Sequence, residues 1–294
     1  MTIPRIASYP MPATLPATRV GWRPEPHRAA LLIHDMQQYF VDFYDPAAEP
    51  IPVLVSHIQA LRTACDAVGI PVYYTAQPGD QPLAERALLQ DWWGPGITAK
   101  PEGEPVIAPL APRTGDTVLT KWRYSAFKKS DLADRLKAQG RDQLIICGVY
   151  AHIGVMTTAV EAFMLDVQPF VVGDAVADFS AEEHAMALQW VAGRCGLVVA
   201  TSDLVAALQL RRSMLPADLA AMREEVAALI EIPSSEILPD DNLLDFGLDS
   251  VRLITLVERW KSAGASIDFT AYAEQPMLSN WWVLMNESRQ EVPA

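Results

Sequence analysis

Cysteine is scarce in this chain, and its three copies, Cys65, Cys147 and Cys195, lie far apart. An odd number at such spacing builds neither a disulfide framework nor a zinc site of the C-x-x-C type. Long apolar runs are missing as well: no eighteen consecutive apolar residues occur, which excludes a membrane-spanning helix. The start, Met1-Thr2-Ile3-Pro4-Arg5, has no apolar signal core. A cytoplasmic address is therefore the expectation. Basic charge is short too, with 23 Lys and Arg against 36 Asp and Glu, for a net charge of -13. That balance argues against nucleic acid as a partner, since phosphates need a basic surface. Neither internal repeats nor low-complexity tracts occur. What is present is a 50% apolar composition, enough for a real core in a chain of 294 residues.

The negative charge is unevenly placed. From Met214 onward five basic residues face fourteen acidic ones, so this last stretch carries 5 - 14 = -9 of the total. An acidic C-terminal unit beside a nearly balanced body suggests two domains and basic protein partners. The residue pattern changes at the same place. Residues 1 to about 28 are proline-rich and read as a surface arm. Short apolar runs at 29–34, 71–75, 117–120, 143–149, 170–173 and 196–201 then read as strands. Between them, 54–68, 131–139, 157–165 and 181–192 have helical periodicity. Repeated βα units with continuously apolar strands imply a parallel sheet with helices on both faces, doubly wound. Beyond Leu210 no strand pattern remains. The segments 219–230, 250–263 and 277–287 are amphipathic and predict a small helical bundle. The resulting division is 1–210, a linker at 211–216, and 217–294.

Polar groups collect at three predicted strand ends: His34-Asp35-Met36-Gln37, Lys121-Trp122-Arg123-Tyr124, and the run Gly148 to Gly154. In a parallel sheet such ends converge where ligands bind. Asp35 and Lys121 would form a partly buried ion pair there, structural or functional. In the C-terminal unit, Asp249 is placed to cap a helix beginning at Ser250, and Gly247 allows a tight turn before it. Asp240, Asp241 and Asp245 would attract a basic modifying enzyme. An Asp-Ser pair alone is commonly no more than a helix cap. The whole run Asp241 to Val251, with Asp245-Phe246-Gly247-Leu248-Asp249-Ser250 at its centre, resembles the phosphopantetheine site of acyl, peptidyl and aryl carrier proteins.

The body resembles the isochorismatase branch of the cysteine-hydrolase-like superfamily. The matching runs are Leu31 to Gln37, Tyr73 to Pro78, Trp93 to Gly96, Thr120 to Phe127 and Gly148 to Gly154. Together with the carrier run, the chain is similar to the bifunctional isochorismatase and aryl carrier proteins of catecholate siderophore assembly. This resemblance implies an α/β/α isochorismatase-like domain plus a helical-bundle carrier domain. It implies hydrolysis of the vinyl ether of isochorismate to 2,3-dihydro-2,3-dihydroxybenzoate and pyruvate. It further implies carriage of activated 2,3-dihydroxybenzoate as a thioester on a covalent phosphopantetheine at Ser250. The partners implied are a phosphopantetheinyl transferase, an aryl-activating AMP ligase and the condensation domain of a nonribosomal peptide synthetase, with the chain a homodimer.

Residue by residue, the resemblance makes Asp35 the general acid, Lys121 a binder of substrate carboxylate that positions Asp35, and Gln77, Arg86, Trp93 and Tyr150 substrate-binding. Arg86 has a competing reading as surface of a helical stretch at 84–90. Tyr39 and Phe40 wall the pocket or belong to the core. Amidase relatives carry a nucleophilic cysteine where this chain has Gly154, so a covalent acyl-enzyme is excluded and the glycine leaves room for the substrate ring. A non-proline cis peptide is expected at Ala151-His152. No Asp-x-His metal pair like that of nicotinamidase relatives occurs, and Glu182-Glu183-His184 reads as helix surface, so no metal is expected. Cys147 reads as core, Cys195 has no evident partner, and Trp281 and Trp282 read as bundle packing. The competing functions are a catalytically inactive scaffold presenting the carrier, or a hydrolase of some other small substrate.

Overall fold

The structure, a computed structural model, describes residues 3–212, 214–265 and 267–290. The chain divides into two compact units, one built mainly from residues up to Val205 and one mainly from Ala206 onward.

The larger unit is a six-stranded parallel sheet in the order β3-β2-β1-β4-β5-β6. Its strands are β1 (Ala29–His34), β2 (Val72–Ala76), β3 (Thr117–Thr120), β4 (Gln143–Val149), β5 (Gln168–Ala177) and β6 (Leu197–Val199). Every residue of β1 and β4 is buried, which explains their unbroken apolar runs: helices cover both faces of a central parallel strand. β3 ends the sheet and leaves Val118 half exposed. The helices include α1 (Gln38–Val41), α2 (Ile51–Asp66), α3 (Leu83–Arg86), α4 (Leu88–Trp93), α5 (Leu132–Ala138), α6 (Met156–Met164) and α7 (Ala181–Arg194). α7 starts where the Ser180 side chain accepts a hydrogen bond from the Glu183 amide at 3.2 Å, an N-cap. Leu32, Leu144, Ile146, Val171 and Leu188 interlock in one core cluster, and each such side chain contributes about 1.5–3 kcal/mol on burial.

The chain order reverses between β1 and β4. At this switch point the register pairs His34 with Thr75 on one side and with Gly148 on the other. Asp35, Ala76, Lys121 and Tyr150 thus emerge from neighbouring strand ends into one crevice.

Several elements differ from the sequence expectation. β5 runs on to Ala177, past a register shift between Ile146 and Gly148. Thr201, expected to close the last strand, instead begins a helix, α8 (Thr201–Arg212), whose amide and hydroxyl both donate to Asp174. Arg211 and Arg212, read as the start of a linker, therefore end a helix; Ser213 lies outside the described residues, as do Met1 and Thr2. The proline-rich arm is not merely surface. Ile6 and Tyr9 are buried, and the Tyr9 hydroxyl accepts from the Asp178 amide at 2.7 Å. No helix among the described residues is long and apolar enough to cross a membrane.

The smaller unit contains α9 (Leu219–Ile230), α10 (Ser250–Ser262), α11 (Phe269–Glu274) and α12 (Leu278–Gln290). α11 was not foreseen; at six residues it is too short for a periodicity to register. Trp260, Tyr272 and Trp281 fill the middle, with the two indoles edge to face at 6.1 Å. Both indole N–H groups are satisfied: Trp260 donates to Glu225 at 2.9 Å and Trp281 to the Tyr272 carbonyl at 2.8 Å. Trp282 packs partly buried against the same core.

Candidate functional site

Asp35 follows β1 in a left-handed conformation, with φ of 49°. A non-glycine residue is held there only where its surroundings insist. Thr75 does so from β2: its hydroxyl accepts from the Asp35 amide at 3.1 Å and donates to Oδ1 at 2.5 Å. The other oxygen, Oδ2, meets Lys121 Nζ at 2.8 Å. Lys121 is placed by its amide, which continues the sheet by donating to the Ala76 carbonyl at 2.8 Å. Both side chains are almost completely buried, more so than the partly buried pair expected from sequence. Burial pushes the Asp35 pKa up, but Lys121, His34 and the hydrogen bonds from Lys121 and Thr75 outweigh it and hold the carboxyl below its ordinary value.

The remaining cleft residues surround this pair. Gln77, Arg86, Trp93, Tyr150, Phe40 and Gly154 line the same open-mouthed cavity as Asp35 and Lys121. Arg86 is not surface. It is buried, with Nε donating to the Gly94 carbonyl at 2.6 Å and Nη1 to Gln81 at 2.8 Å. Trp93 donates to the Tyr124 hydroxyl at 2.8 Å. Tyr150 spends its hydroxyl proton on the Phe40 carbonyl at 2.8 Å, so its ring, packed against Phe40 and Phe179, is what faces the cavity. Tyr39 also lines the cleft.

Gly154 sits in a π-helical turn, Ala151–Val155, that joins β4 to α6. A Cβ there would lie 2.7 Å from His34 Nε2 and closer still to Cε1. The glycine therefore makes room for the His34 imidazole, besides lining the cavity. The non-proline cis peptide also falls elsewhere, at Val149-Tyr150. Ala151 and His152 already belong to the helical turn, whose backbone is trans.

Three residues that the sequence did not single out support the wall. Gln37 clamps the Gln77 strand end: its side chain donates to the Gln77 and Glu104 carbonyls and accepts from the Gln77 amide at 2.7 Å. Gln81 links Gln77 to Arg86. Thr75 orients Asp35 as described. Gln37 and Thr75 lie inside matched runs, but their roles depend on cross-strand register; Gln81 lies in a loop without a pattern.

One grouping among the described residues has metal-ligand chemistry, His152 with Asp178 and Glu183. Asp178 is already committed: Oδ1 accepts from His152 Nδ1 at 2.5 Å and the Phe179 amide at 2.8 Å, and Oδ2 from the His152 amide at 2.6 Å. This is a hydrogen-bonded histidine–carboxylate pair. Burial works against charge on His152, but the hydrogen bond and charge of Asp178, with Glu183, raise its pKa overall. His184, read as helix surface, is buried, bonded to Tyr9 and to the Gly173 carbonyl. Cys147 and Cys195 are both buried, and burial raises the Cys195 thiol to about 11.

In the smaller unit Ser250 is exposed at the first position of the 13-residue α10. Asp249 caps that helix, accepting from the Arg252 amide at 2.8 Å. Gly247 takes a left-handed φ of 93°, and its carbonyl accepts from the Arg252 side chain at 2.8 Å. The turn and the helix start are thereby tied together, and Ser250, like Leu244, Val251 and Ile254, is exposed. A free hydroxyl at a capped helix N-terminus fits a phosphodiester.

Residues 29–203 match the isochorismatase domain model, and residues 220–281 match the phosphopantetheine attachment site model. The chain belongs to the isochorismatase family. It joins a hydrolase domain of that family to a domain that carries covalent phosphopantetheine. Among family members, enterobactin synthase component B of Escherichia coli (strain K12) is 50% identical over 288 residues, covering 97% of this chain and 99% of that protein. The isochorismatase of Bacillus subtilis (strain 168) is 47% identical over 309 residues, covering 99% and 98%. A cysteine hydrolase from Pseudomonas syringae pv. phaseolicola 1448A shares the fold, with a TM-score of 0.58 at 24% identity over 66% of this chain and 98% of its own.

Proposed function

We propose that the cleft hydrolyses the vinyl ether of isochorismate to 2,3-dihydro-2,3-dihydroxybenzoate and pyruvate, with Asp35 as general acid, and that Ser250 bears the phosphopantetheine arm. The observation that carries the reading is the buried Asp35–Lys121 pair in a cleft whose position 154 holds glycine and no thiol. Without a thiolate, catalysis must proceed by protonation and by fixed charge.

The slow step is transfer of a proton to the enol-ether methylene carbon, which leaves an oxocarbenium ion for water to capture. In the free chain Asp35 is held ionised by Lys121. Isochorismate brings two carboxylates, and Lys121 and Arg86 are the buried cations of the cleft. Once a substrate carboxylate engages Lys121, that cation no longer favours the Asp35 anion so strongly, and the added negative charge raises the Asp35 pKa. The acid is thus charged with its proton when substrate is present, and Thr75 keeps its oxygen aimed.

The arm, when bound, supplies a thiol that holds acyl groups as thioesters. The cargo is 2,3-dihydroxybenzoate for siderophore assembly. Ser250 is reached in turn by a phosphopantetheinyl transferase, an aryl-activating AMP ligase and a condensation domain. The exposed trio Leu244, Val251 and Ile254, beside acidic Asp240, Asp241 and Asp245, supports a shared docking face for basic partners. The isochorismatase domain spans residues 1–210 and the carrier domain 217–294. Exposed Phe163, Met164 and Leu165 at the end of α6, with Met186 and Trp190 on α7, support self-association as a dimer. Incubation with isochorismate should release pyruvate, and coenzyme A with a phosphopantetheinyl transferase should add one arm to the wild type and none to Ser250→Ala. No pyruvate, or labelling of the Ser250→Ala chain, contradicts the reading.

A further inference from the structure

His34 closes β1 and is fully buried. Its Nδ1 lies 2.8 Å from the Val149 carbonyl, which can only accept, so Nδ1 carries the proton and Nε2 presents a lone pair. Nε2 has no hydrogen-bond partner among the described residues. Buried acceptors left unpaired are uncommon, and one at the wall of a cleft points to a ligand. The ring forms part of that wall, beside Asp35, Lys121 and Gly154. Gly154 is what lets it stand there, since any side chain at 154 would overlap Cε1 and Nε2. Burial and then Lys121 pull the His34 pKa to about 4, against the opposing influence of Asp35 and the Val149 and Tyr124 carbonyls. The ring is neutral at neutral pH.

The hydrolysis needs a base after its acid step. Lys121 is an ammonium with no acceptor, Arg86 a guanidinium, the protonated Tyr150 hydroxyl is committed as donor to the Phe40 carbonyl, and the two Asp35 oxygens are engaged by Thr75 and Lys121. His34 Nε2 is a neutral base within the same wall, and Asp35 Oδ2 lies 3.8 Å from Nδ1. We propose that His34 Nε2 is a second catalytic group, which accepts the proton of the water that attacks the oxocarbenium carbon. The proposal rests on the isochorismate reading above.

The steps balance. Asp35 gives its proton to the methylene carbon and becomes a carboxylate. Water forms a C–O bond to the oxocarbenium carbon while one of its protons passes to Nε2. The resulting imidazolium faces the newly ionised Asp35, which stabilises it. The imidazolium then protonates the ether oxygen as the bond between that oxygen and the hemiketal carbon breaks, so the ring leaves bearing the oxygen as a hydroxyl. The hemiketal hydroxyl loses its proton to Asp35 as pyruvate forms. Both side chains return to their starting states.

Isotope partitioning in D2O separates this role from a structural one, with pyruvate trapped as lactate by lactate dehydrogenase and read by mass spectrometry. In the full-length wild type, capture by water follows protonation promptly, so the methyl group gains one deuterium and recovered isochorismate none. His34→Asn keeps an amide toward the Val149 carbonyl but has no Nε2. With capture slowed, the carbon proton returns and exchanges. Its methyl group should then carry two or more deuteria, recovered substrate should gain deuterium, and kcat should fall on the order of 10²-fold with KM changed less than about threefold. A single deuterium in the product of His34→Asn, whatever its rate, overturns the proposal. His34→Gln carries the same readout if the asparagine chain does not fold. Failure of the wild type to release pyruvate would instead overturn the isochorismate reading.

Discussion

The cleft and the Ser250 turn do their work under opposite physical conditions. Asp35 and Lys121 are nearly sealed from solvent, and each is held by groups from another strand. Ser250 is exposed and is placed by groups within a few residues of it, Asp249, Gly247 and Arg252. A buried pair gains strength from low polarity around it, and its chemistry depends on every neighbour. An exposed hydroxyl at a capped helix start needs only its turn, because its chemistry is supplied by enzymes that come to it. Damage to the cleft should therefore spread, and damage to the turn should stay local.

The largest effects break one region and spare the other. Ser250→Ala should abolish arm attachment while pyruvate release stays within about twofold of wild type, a reciprocity checked by intact-protein mass and a pyruvate assay. Lys121→Met should cost on the order of 10²-fold or more in kcat/KM, with arm attachment unchanged. In the smaller unit, Trp281→Ala should cost about 3–5 kcal/mol, seen as a lower denaturant midpoint by tryptophan-independent circular dichroism. Gly154→Ala drives a methyl into the His34 ring. It should destabilise the chain by about 1–3 kcal/mol and depress activity, whereas Gly247→Ala, at a left-handed turn, should cost only about 1 kcal/mol and slow arm attachment. The smallest effect is at His152. Its folded pKa is raised, so the stability it contributes is fully present below the ordinary histidine value and is lost as pH rises through the folded one. The difference in Tm between wild type and His152→Asn should shrink as pH is raised from 6 to 9.

The same contrast explains what was legible in the sequence. β1 and β4 could be bounded to the residue because their runs are short, buried and mostly apolar; β3, Thr117–Thr120, was bounded as two β-branched threonines around an apolar pair. The Ser250 turn was legible because cap, glycine and serine are contiguous. The predicted parallel sheet already gathered three strand-end runs up to 119 residues apart, from Asp35 to Gly154, and paired Asp35 with Lys121, while Gln77, Arg86, Trp93 and Tyr150 came from resemblance; the structure brings all of them to one cleft. The two supporting glutamines and the role of Gly154 were not legible, because each depends on a contact across the sheet. Glycine at 154 has meaning only once His34 is seen to occupy the space above it. Arg86 was ambiguous for a similar reason: a helical stretch predicts an exposed face, and only the Gly94 and Gln81 contacts turn it inward. His184 misled in the same direction, since its neighbours Glu182 and Glu183 mark a surface turn while its own side chain turns beneath the N-terminal arm to reach Tyr9.

The most direct test of the account compares pyruvate release by wild type and Asp35→Asn at saturating isochorismate, with arm attachment measured on the same samples. Asparagine keeps the shape and a partner for Thr75 but cannot deliver the proton. The account predicts a loss of at least about 10³-fold in kcat with full attachment at Ser250. Release by Asp35→Asn within a few-fold of wild type would contradict it.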